Sequence, residues 1–355
     1  MMPSMHRIKD QARFLTFEEY QVKEKEISHH FLQSSLWGCF KARHGWEPCY
    51  MGVFDQKKCV GLALALLRKL PRNFLFAYIP KGPAFSETEE AFLQKSLAIR
   101  AALKNKYGRR LLFVRMEPHK TAPELPKHML KKKGWKKAPY DIQYRYTRLI
   151  PLSTEEAFWQ GLTSKQRNKI KTASRKGVRI YSLSDKDAVA EWYKVYTETA
   201  CRNAIFIHPL AYYEDFFNTF QSSGTLSFWA AFYEEEMLAG AFIIHYREES
   251  LYMYSGSSDK ERQRRPNEAI QWAAVREAVS RGSFLYDMWG VAPPEEEHHP
   301  WAGLSRFKAG FGGEVAEFAG CWDYPCRPLF YRAFIAAEKI RRILLAFRRK
   351  GQRRP

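Results

Sequence analysis

Twice along this chain the hydrophobic pattern reads as strands, then helix, strand, helix and strand. In the first pass, strands at 50–54, 59–68 and 74–79 precede a helix over 87–106, a strand at 110–116, a helix over 123–133 and an alternating strand from Asp141 to Leu149. The second pass begins near Pro151. It holds a helix over 164–177, a strand at 178–183, a helix over 186–200 and a further helix opening at His208-Pro209. A meander of strands at 225–234, 237–246 and 250–255 follows, then a helix over 267–281 and a strand edge at 284–289. Interleaving of this kind makes each half an α/β unit with a mixed sheet. A chain of 355 residues exceeds one ordinary core, so two domains are expected, 1–150 completed by 316–355, and 151–315.

Ahead of the first strands, 29–50 reads as an amphipathic helix turning at Gly45, with Phe31, Leu32, Leu36 and Phe40 at helical spacing and Trp37 and Lys41 sharing a face. Ser164 and Gly177 read as the caps of one helix. From 325 to 355 a long helix carries Phe330, Phe334, Ala337, Ile340, Leu344 and Phe347 as one apolar stripe, and beyond Glu338 it has eight Lys/Arg and no acid.

Charge narrows the partners. There are 58 Lys+Arg against 38 Asp+Glu, a net charge of +20, which favours nucleic acid, anionic membrane or phosphorylated substrates. Between Leu162 and Ser184 seven basic residues occur with no acid, and Lys165, Arg167, Lys169, Lys171 and Arg175 lie on the predicted helix there, pointing to a polyanion contact. No apolar run approaches the roughly 20 residues of a membrane span, and the N-terminus shows no signal-like apolar region, so a cytoplasmic protein is expected. The six cysteines form no CxxC pair, and the run Glu295-Glu296-Glu297-His298-His299 is better read as a solvated loop than as a metal site.

The chemistry-bearing stretch is Tyr286–Gly313, YDMWGVAPPEEEHHPWAGLSRFKAGFGG. A strand edge stops at Gly290, a breaker-rich loop follows, and a short helix from Trp301 to Ala309 carries Arg306, Phe307 and Lys308 into Gly310-Phe311-Gly312-Gly313. Such a turn allows close backbone approach, and a lysine beside it can meet a phosphate or a developing oxyanion; a helix C-cap with a solvated lysine is the plainer account. A strand ending DxWG, then a loop, then HPxxGLxRFKxGFGG resembles the signature of the Fem-type peptidoglycan-bridge transferases. Four further segments resemble that family's motifs in the same order: FLQSxxWxxxK at 31–41, AYIPKGPAF at 77–85, the basic helix LxxKxRxxIxxAxxxGV at 162–178, and YxYxGSS at 252–258. The resemblance covers roughly 30–325.

Enzymes of that family move an amino acid from aminoacyl-tRNA onto the stem peptide of a cell-wall precursor. The fold implied is α/β: two tandem GNAT-like (acyltransferase-like) domains, the first completed by the C-terminal helix. No heptad segment for a coiled-coil arm is present. Lys41, Trp37, Tyr78, Lys81, His208, Tyr212, Tyr213, Tyr254 and Arg306 are implied precursor contacts. Lys308 is the candidate cation for the tetrahedral intermediate, and Asp287 a group that orients or deprotonates the amine, although a strand-end aspartate is as often structural. His208 stands where the family places an arginine four residues before the tyrosine pair, so either Arg202 supplies the charge or the precursor is held differently. After Gly82-Pro83 the family often has an acid; here the chain reads Ala84-Phe85-Ser86, with Glu87 expected to cap the next helix. Tyr252 and Tyr254 are expected on one strand face.

The implied partners are aminoacyl-tRNA and a lipid-linked or nucleotide-linked peptidoglycan precursor, carrying alanine, serine or glycine, with no metal or redox cofactor. A monomer is expected, with a basic tail suited to anionic lipid headgroups at the inner membrane leaflet or to the tRNA backbone. The rival enzyme is a coenzyme-A-dependent N-acyltransferase, whose Gly-rich pyrophosphate turn is missing from the corresponding RQRRPNEA. A basic RNA- or membrane-binding protein without activity explains the charge but not the motif order.

Overall fold

The computed structural model describes residues 11–351 apart from 28, 86–87 and 204, with side chains in the last helix described as far as Arg342; the cap expected of Glu87 lies outside these residues. The chain divides into two compact units, one made of residues up to Gln143 together with those from Phe318 onward, the other of residues 144–317. Among the described residues each unit is built on one seven-stranded sheet.

In the first unit the spatial order of strands is Gln11–Phe14, Glu47–Asp55, Lys58–Lys69, Leu75–Ile79, Leu111–Met116, Trp322–Pro325 and Lys136–Lys137. The pair Leu75–Ile79 and Leu111–Met116 runs parallel. Helix Glu89–Tyr107 covers one face through Phe92, Leu93, Ile99 and Leu103. The other face takes the C-terminal helix Pro328–Gly351, where Tyr331, Phe334 and Ile335 pack with Phe113 and Phe76. A buried bidentate pair ties this late segment to the early sheet. Arg115 Nε and Nη2 each donate to Asp323 at 2.7 Å, and the Tyr331 hydroxyl donates to Asp323 Oδ2 at 2.9 Å. Segments more than 200 residues apart thus share one closed polar cluster.

In the second unit the order is Glu314–Glu317, Tyr146–Pro151, Leu285–Gly290, Glu249–Ser257, Glu236–Tyr246, Leu226–Tyr233 and Arg179–Leu183. Its core joins Ile170 and Ala173 of helix Ser164–Arg175, Ile270, Ala274 and Ala278 of helix Pro266–Ser280, and Ile243, Tyr286 and Met288 of the sheet.

Several local expectations change. The helix read over 29–50 is broken: Phe31–Gln33 is a 3-10 turn, and Ser34, extended at ψ 153°, caps helix Ser35–Arg43 by accepting from Trp37 N. Thr163, not Ser164, caps the basic helix, accepting from Gln166 N. The strand read from Asp141 starts at Tyr146 because the preceding amides of Ile142 and Gln143 donate to the Glu117 side chain instead of to a neighbouring strand. The single apolar stripe of the last helix divides: Phe330 and Phe334 lean on Phe74 and Phe76, while Ile340 is exposed.

Candidate functional site

The parallel strands of the second unit pair only from Glu249–Leu285 to Leu251–Asp287. Beyond that point each strand turns away for a local reason. Asp287 Oδ1 accepts the backbone N–H of Trp289 at 2.7 Å, Trp289 adopts a φ of 64°, and pairing with Tyr146–Pro151 skips from Asp287 to Gly290. On the other strand Met253 is the extra residue of a bulge, since Tyr252 opposes Ile243 and Tyr254 opposes Phe242. The bulge puts Tyr252 and Tyr254 on opposite faces, against the expectation that they share one. Tyr252 faces the core with Ile243, whereas the Tyr254 ring meets Phe216 and Tyr213.

Between the parted strands lies a cavity of about 70 Å³ walled by Tyr144, Tyr196, Tyr252, Trp289, Trp301 and Lys308 among others. Five aromatic rings and, among the described residues, one lysine line it. Gly290 is obligatory at the rim, because a Cβ there would stand 2.4 Å from the Tyr144 ring. Lys308 comes from helix Ala302–Ala309 and is 4 % exposed. Its Nζ donates to the Gly290 carbonyl at 2.7 Å and lies 5.9 Å from the Tyr252 ring centre. Burial pulls its pKa down to about 7, against the opposing pull of the Asp287 carboxylate. The solvated-lysine account is therefore excluded. Lys308 also points away from the glycine run, which serves the sheet edge. Gly313 sits at a φ of 66° with no room for a Cβ, which would be 2.2 Å from the Leu149 carbonyl, and Arg148 Nη1 donates to the carbonyls of Gly312 and Gly313 at 2.8 and 2.7 Å.

Behind the cavity wall, the Tyr196 ring meets Tyr213 edge-on, and Tyr213 meets Tyr254 likewise. The Tyr212 and Tyr254 hydroxyls hydrogen-bond to each other, and His208 stacks on Tyr212 with ring centres 3.9 Å apart. The fold therefore gathers His208, Tyr212, Tyr213 and Tyr254 into one cluster. Helix Leu210–Ser222 begins after Pro209, which is its N-cap and not part of its first turn. Arg202, the other candidate for that charge, pairs its guanidinium with Asp259 at 2.7 Å and donates to the Ser257 carbonyl. Arg306 is exposed on the helix of Lys308 and does not line the cavity.

In the first unit, Gln33 joins two of the motif segments. Its Nε2 donates to the Pro80 carbonyl at 2.6 Å, its Oε1 accepts from Leu64 N at 2.9 Å, and a Cβ on Gly82 would strike it. Tyr78 donates to Glu117 Oε2 at 2.5 Å, and Lys81, buried at a φ of 45°, holds its ammonium 3.5 Å from the Phe318 ring centre. Trp37 is a core residue packed between Phe31 and Phe40. Lys41 lies 5.4 Å from the Trp37 ring centre and 5.9 Å from that of Trp46, which in turn neighbours Tyr78. Burial, aided by Arg68, lowers the Lys41 pKa to about 8.

A model of the FemAB family matches residues 15–133, 130–232 and 226–339. The chain belongs to the FemAB family. Among curated relatives, the UDP-N-acetylmuramoylpentapeptide-lysine N(6)-alanyltransferase of Weissella viridescens is 26% identical over 267 residues, spanning 72% of this chain and 78% of that protein. The lipid II:glycine glycyltransferase of Staphylococcus saprophyticus is 21% identical over 85% of this chain and 89% of its own. The crystal structure of FemX superposes with a TM-score of 0.79 at 18% identity, covering 92% of this chain and all of FemX. A tandem GNAT protein of clavulanic acid biosynthesis reaches 0.55 at 8% identity, over 89% of this chain and 98% of its own. Both halves of this FemAB chain accordingly have the GNAT-like fold.

On the basic helix of this FemAB protein the five nominated residues separate. Lys165 and Lys169, with Lys176 and Arg265, line one open surface depression. Arg167 is turned inward, donating to the carbonyls of Trp159, Gln160 and Leu162 at the end of helix Glu155–Gly161, and so acts as a cap. Lys171 lies 5.6 Å from the Trp159 ring centre, and Arg175 donates to Thr172. Sequence reasoning missed Tyr144, Tyr196 and Trp301 as cavity walls. The glycine of the DMWG run was a usable signal for a close aromatic neighbour, but nothing local named Tyr144 as that neighbour.

Proposed function

We propose that this FemAB protein is an aminoacyltransferase that moves a small amino acid from aminoacyl-tRNA to the stem-peptide amine of a peptidoglycan precursor. The observation that carries the reading is Lys308, sealed in the wall of an aromatic cavity beside the Gly290 carbonyl. The neutral amine attacks the ester carbonyl, forming a C–N bond while the carbonyl π pair moves to oxygen. Collapse of the tetrahedral intermediate breaks the C–O bond to the terminal ribose, and the proton lost by nitrogen ends on the ribose oxygen. A cation fixed where water is excluded stabilises the oxyanion, and the developing charge itself raises the pKa of Lys308 from about 7, keeping it protonated when it is needed. Ester aminolysis calls for no redox or metal chemistry.

The names of the relatives support alanine or glycine as cargo and either lipid II or the nucleotide-linked pentapeptide as acceptor. A small cavity suits such a residue. Lys41 and Lys81 of the first unit are the groups we assign to the precursor's anionic portion, and Lys165 and Lys169 to the tRNA backbone. The coenzyme-A reading is disfavoured: helix Pro266–Ser280 begins with a proline, which has no N–H, after Arg265 in the left-handed region, so the helix start has one amide fewer to offer a pyrophosphate. The test is transfer of radiolabelled alanine, serine or glycine from charged tRNA to lipid-linked and nucleotide-linked precursors in parallel. Label in one precursor establishes donor and acceptor together. No label in any pairing, with acetyl-coenzyme A accepted instead, overturns the proposal.

A further inference from the structure

The C-terminal helix Pro328–Gly351 has two apolar faces. One is spent on the fold, where Tyr331, Phe334 and Ile335 pack over Phe113 and its neighbours. Glu338 lies on the same side, accepting from the Tyr140 hydroxyl and from Arg341. The opposite face runs Leu329, Ala333, Ala336 and Ile340, at spacings of four, three and four. Leu329 is 76 % and Ile340 58 % exposed. In sequence the same stripe continues through Ile343, Leu344 and Phe347. Arg332 and Lys339, both exposed, border it along one edge, while Arg341 is turned toward the packed side and paired with Glu338. The helix's one acidic residue, Glu338, belongs to the buried side.

A solvated helix has no cause to carry an apolar stripe opposite its packed face, and a protein partner does not explain why the residues beside that stripe include cations and no acid. We infer that this outward face is a docking surface for an anionic lipid bilayer, the helix lying flat with Leu329 and Ile340 inserted at the headgroup boundary and the flanking Arg332 and Lys339 meeting lipid phosphates. No helix among the described residues is long and apolar enough to cross a membrane, so the contact is peripheral. It holds the first unit against the surface, whichever acceptor the enzyme uses.

The test uses the full chain without precursor or tRNA, so that it is independent of the transferase reading. Co-sedimentation is measured with vesicles of phosphatidylcholine alone and of phosphatidylcholine with phosphatidylglycerol, at low and high salt. Anionic vesicles are expected to bind at least about tenfold better than neutral ones, with the advantage shrinking at high salt. The paired variant Leu329→Ser/Ile340→Ser should bind anionic vesicles about tenfold or more weakly while keeping the wild-type melting temperature, because both side chains are exposed. Equal binding to both vesicle types, or no binding to either, overturns the proposal. So does a double variant that binds like wild type, since charge alone would then suffice, or a chain that light scattering shows to be a dimer dissolved by the same substitutions.

Discussion

Among the described residues each unit has one parallel strand pair, and the two pairs end differently. In the first unit, Leu75–Ile79 and Leu111–Met116 pair to the last residue, and the ladder continues as Glu117 N donates to Ile79 O at 3.0 Å and Gly82 N to Glu117 O at 3.1 Å. In the second, pairing stops at Leu251–Asp287 and the strands part around a cavity. The difference lies in two carboxylates. Glu117 reaches out to Tyr78 and to the amides of Ile142 and Gln143, drawing other segments over the strand ends. Asp287 bends back to its own chain at Trp289 N and releases the neighbouring strand. Both sheets then set a buried lysine nearby, yet Lys81 lies against the Phe318 ring and Lys308 enters a cavity wall. One architecture thus yields a zipped end, to which we assign the holding of the precursor, and an open one, to which we assign its reaction.

Exchange of each lysine is the strongest way to break this comparison. Lys308→Met should lower kcat by about 10²–10³, the usual loss when one oxyanion donor is removed. Lys81→Met should raise KM for the precursor and leave kcat within a few-fold. If both variants lose kcat alike, the division of labour is wrong. Stability should move the other way for Lys308. Its folded pKa of about 7 lies below the unfolded value of about 10.4, so the unfolded chain binds the extra proton and stability rises with pH between those values. Lys308→Met should therefore melt higher than wild type near pH 7 and lose that pH dependence, as thermal melts across pH would show.

The glycine turn beside Lys308 gives the next largest effect. Gly313→Ala drives a Cβ into the Leu149 carbonyl and should cost about 3 kcal/mol or more, whereas Gly312→Ala, at a φ of 86° but with open space around it, should cost about 1–2 kcal/mol. Equal losses in denaturant melts would mean that backbone conformation, and not contact with the strand, fixes this turn.

A smaller shift tests Asp287. If precursor amine must be neutral and Lys308 charged, kcat/KM rises with pH up to the Lys308 pKa and then levels off until the amine itself has titrated. Asp287→Asn keeps an acceptor for Trp289 N but removes the charge that raises Lys308, so the break near 7 should move to lower pH. A break that stays in place with kcat abolished would instead make Asp287 the base.

Much of this was legible in the chain. The repeated element order gives both sheets, and the spacing of Trp37 and Lys41 correctly sets them side by side, because a helix repeats on a short local rule. The outcome at Tyr252 and Tyr254 was not legible, since one bulged residue, Met253, reverses the alternation and bulges follow from pairing with a neighbour. Tyr144 was hidden for a related reason: it meets Gly290 across nearly 150 residues of chain, and no local periodicity encodes that contact. The basic helix shows the same limit, for composition counts a charge without saying where it points.

That helix supplies the finest test. Arg167 and Lys165 look equivalent in sequence, but Arg167 closes the end of helix Glu155–Gly161 while Lys165 borders the surface depression. Arg167→Ala should lower stability by about 1–2 kcal/mol, through carbonyls left without a donor. Lys165→Ala and Lys169→Ala should leave the melt unchanged and each reduce the slope of log affinity for tRNA against log salt by roughly one. A slope that survives both lysine substitutions but falls with Arg167→Ala would reverse the assignment. It would mean the guanidinium leaves its carbonyls to meet phosphate, so that in this half of the molecule the cap and the nucleic-acid contact are one residue.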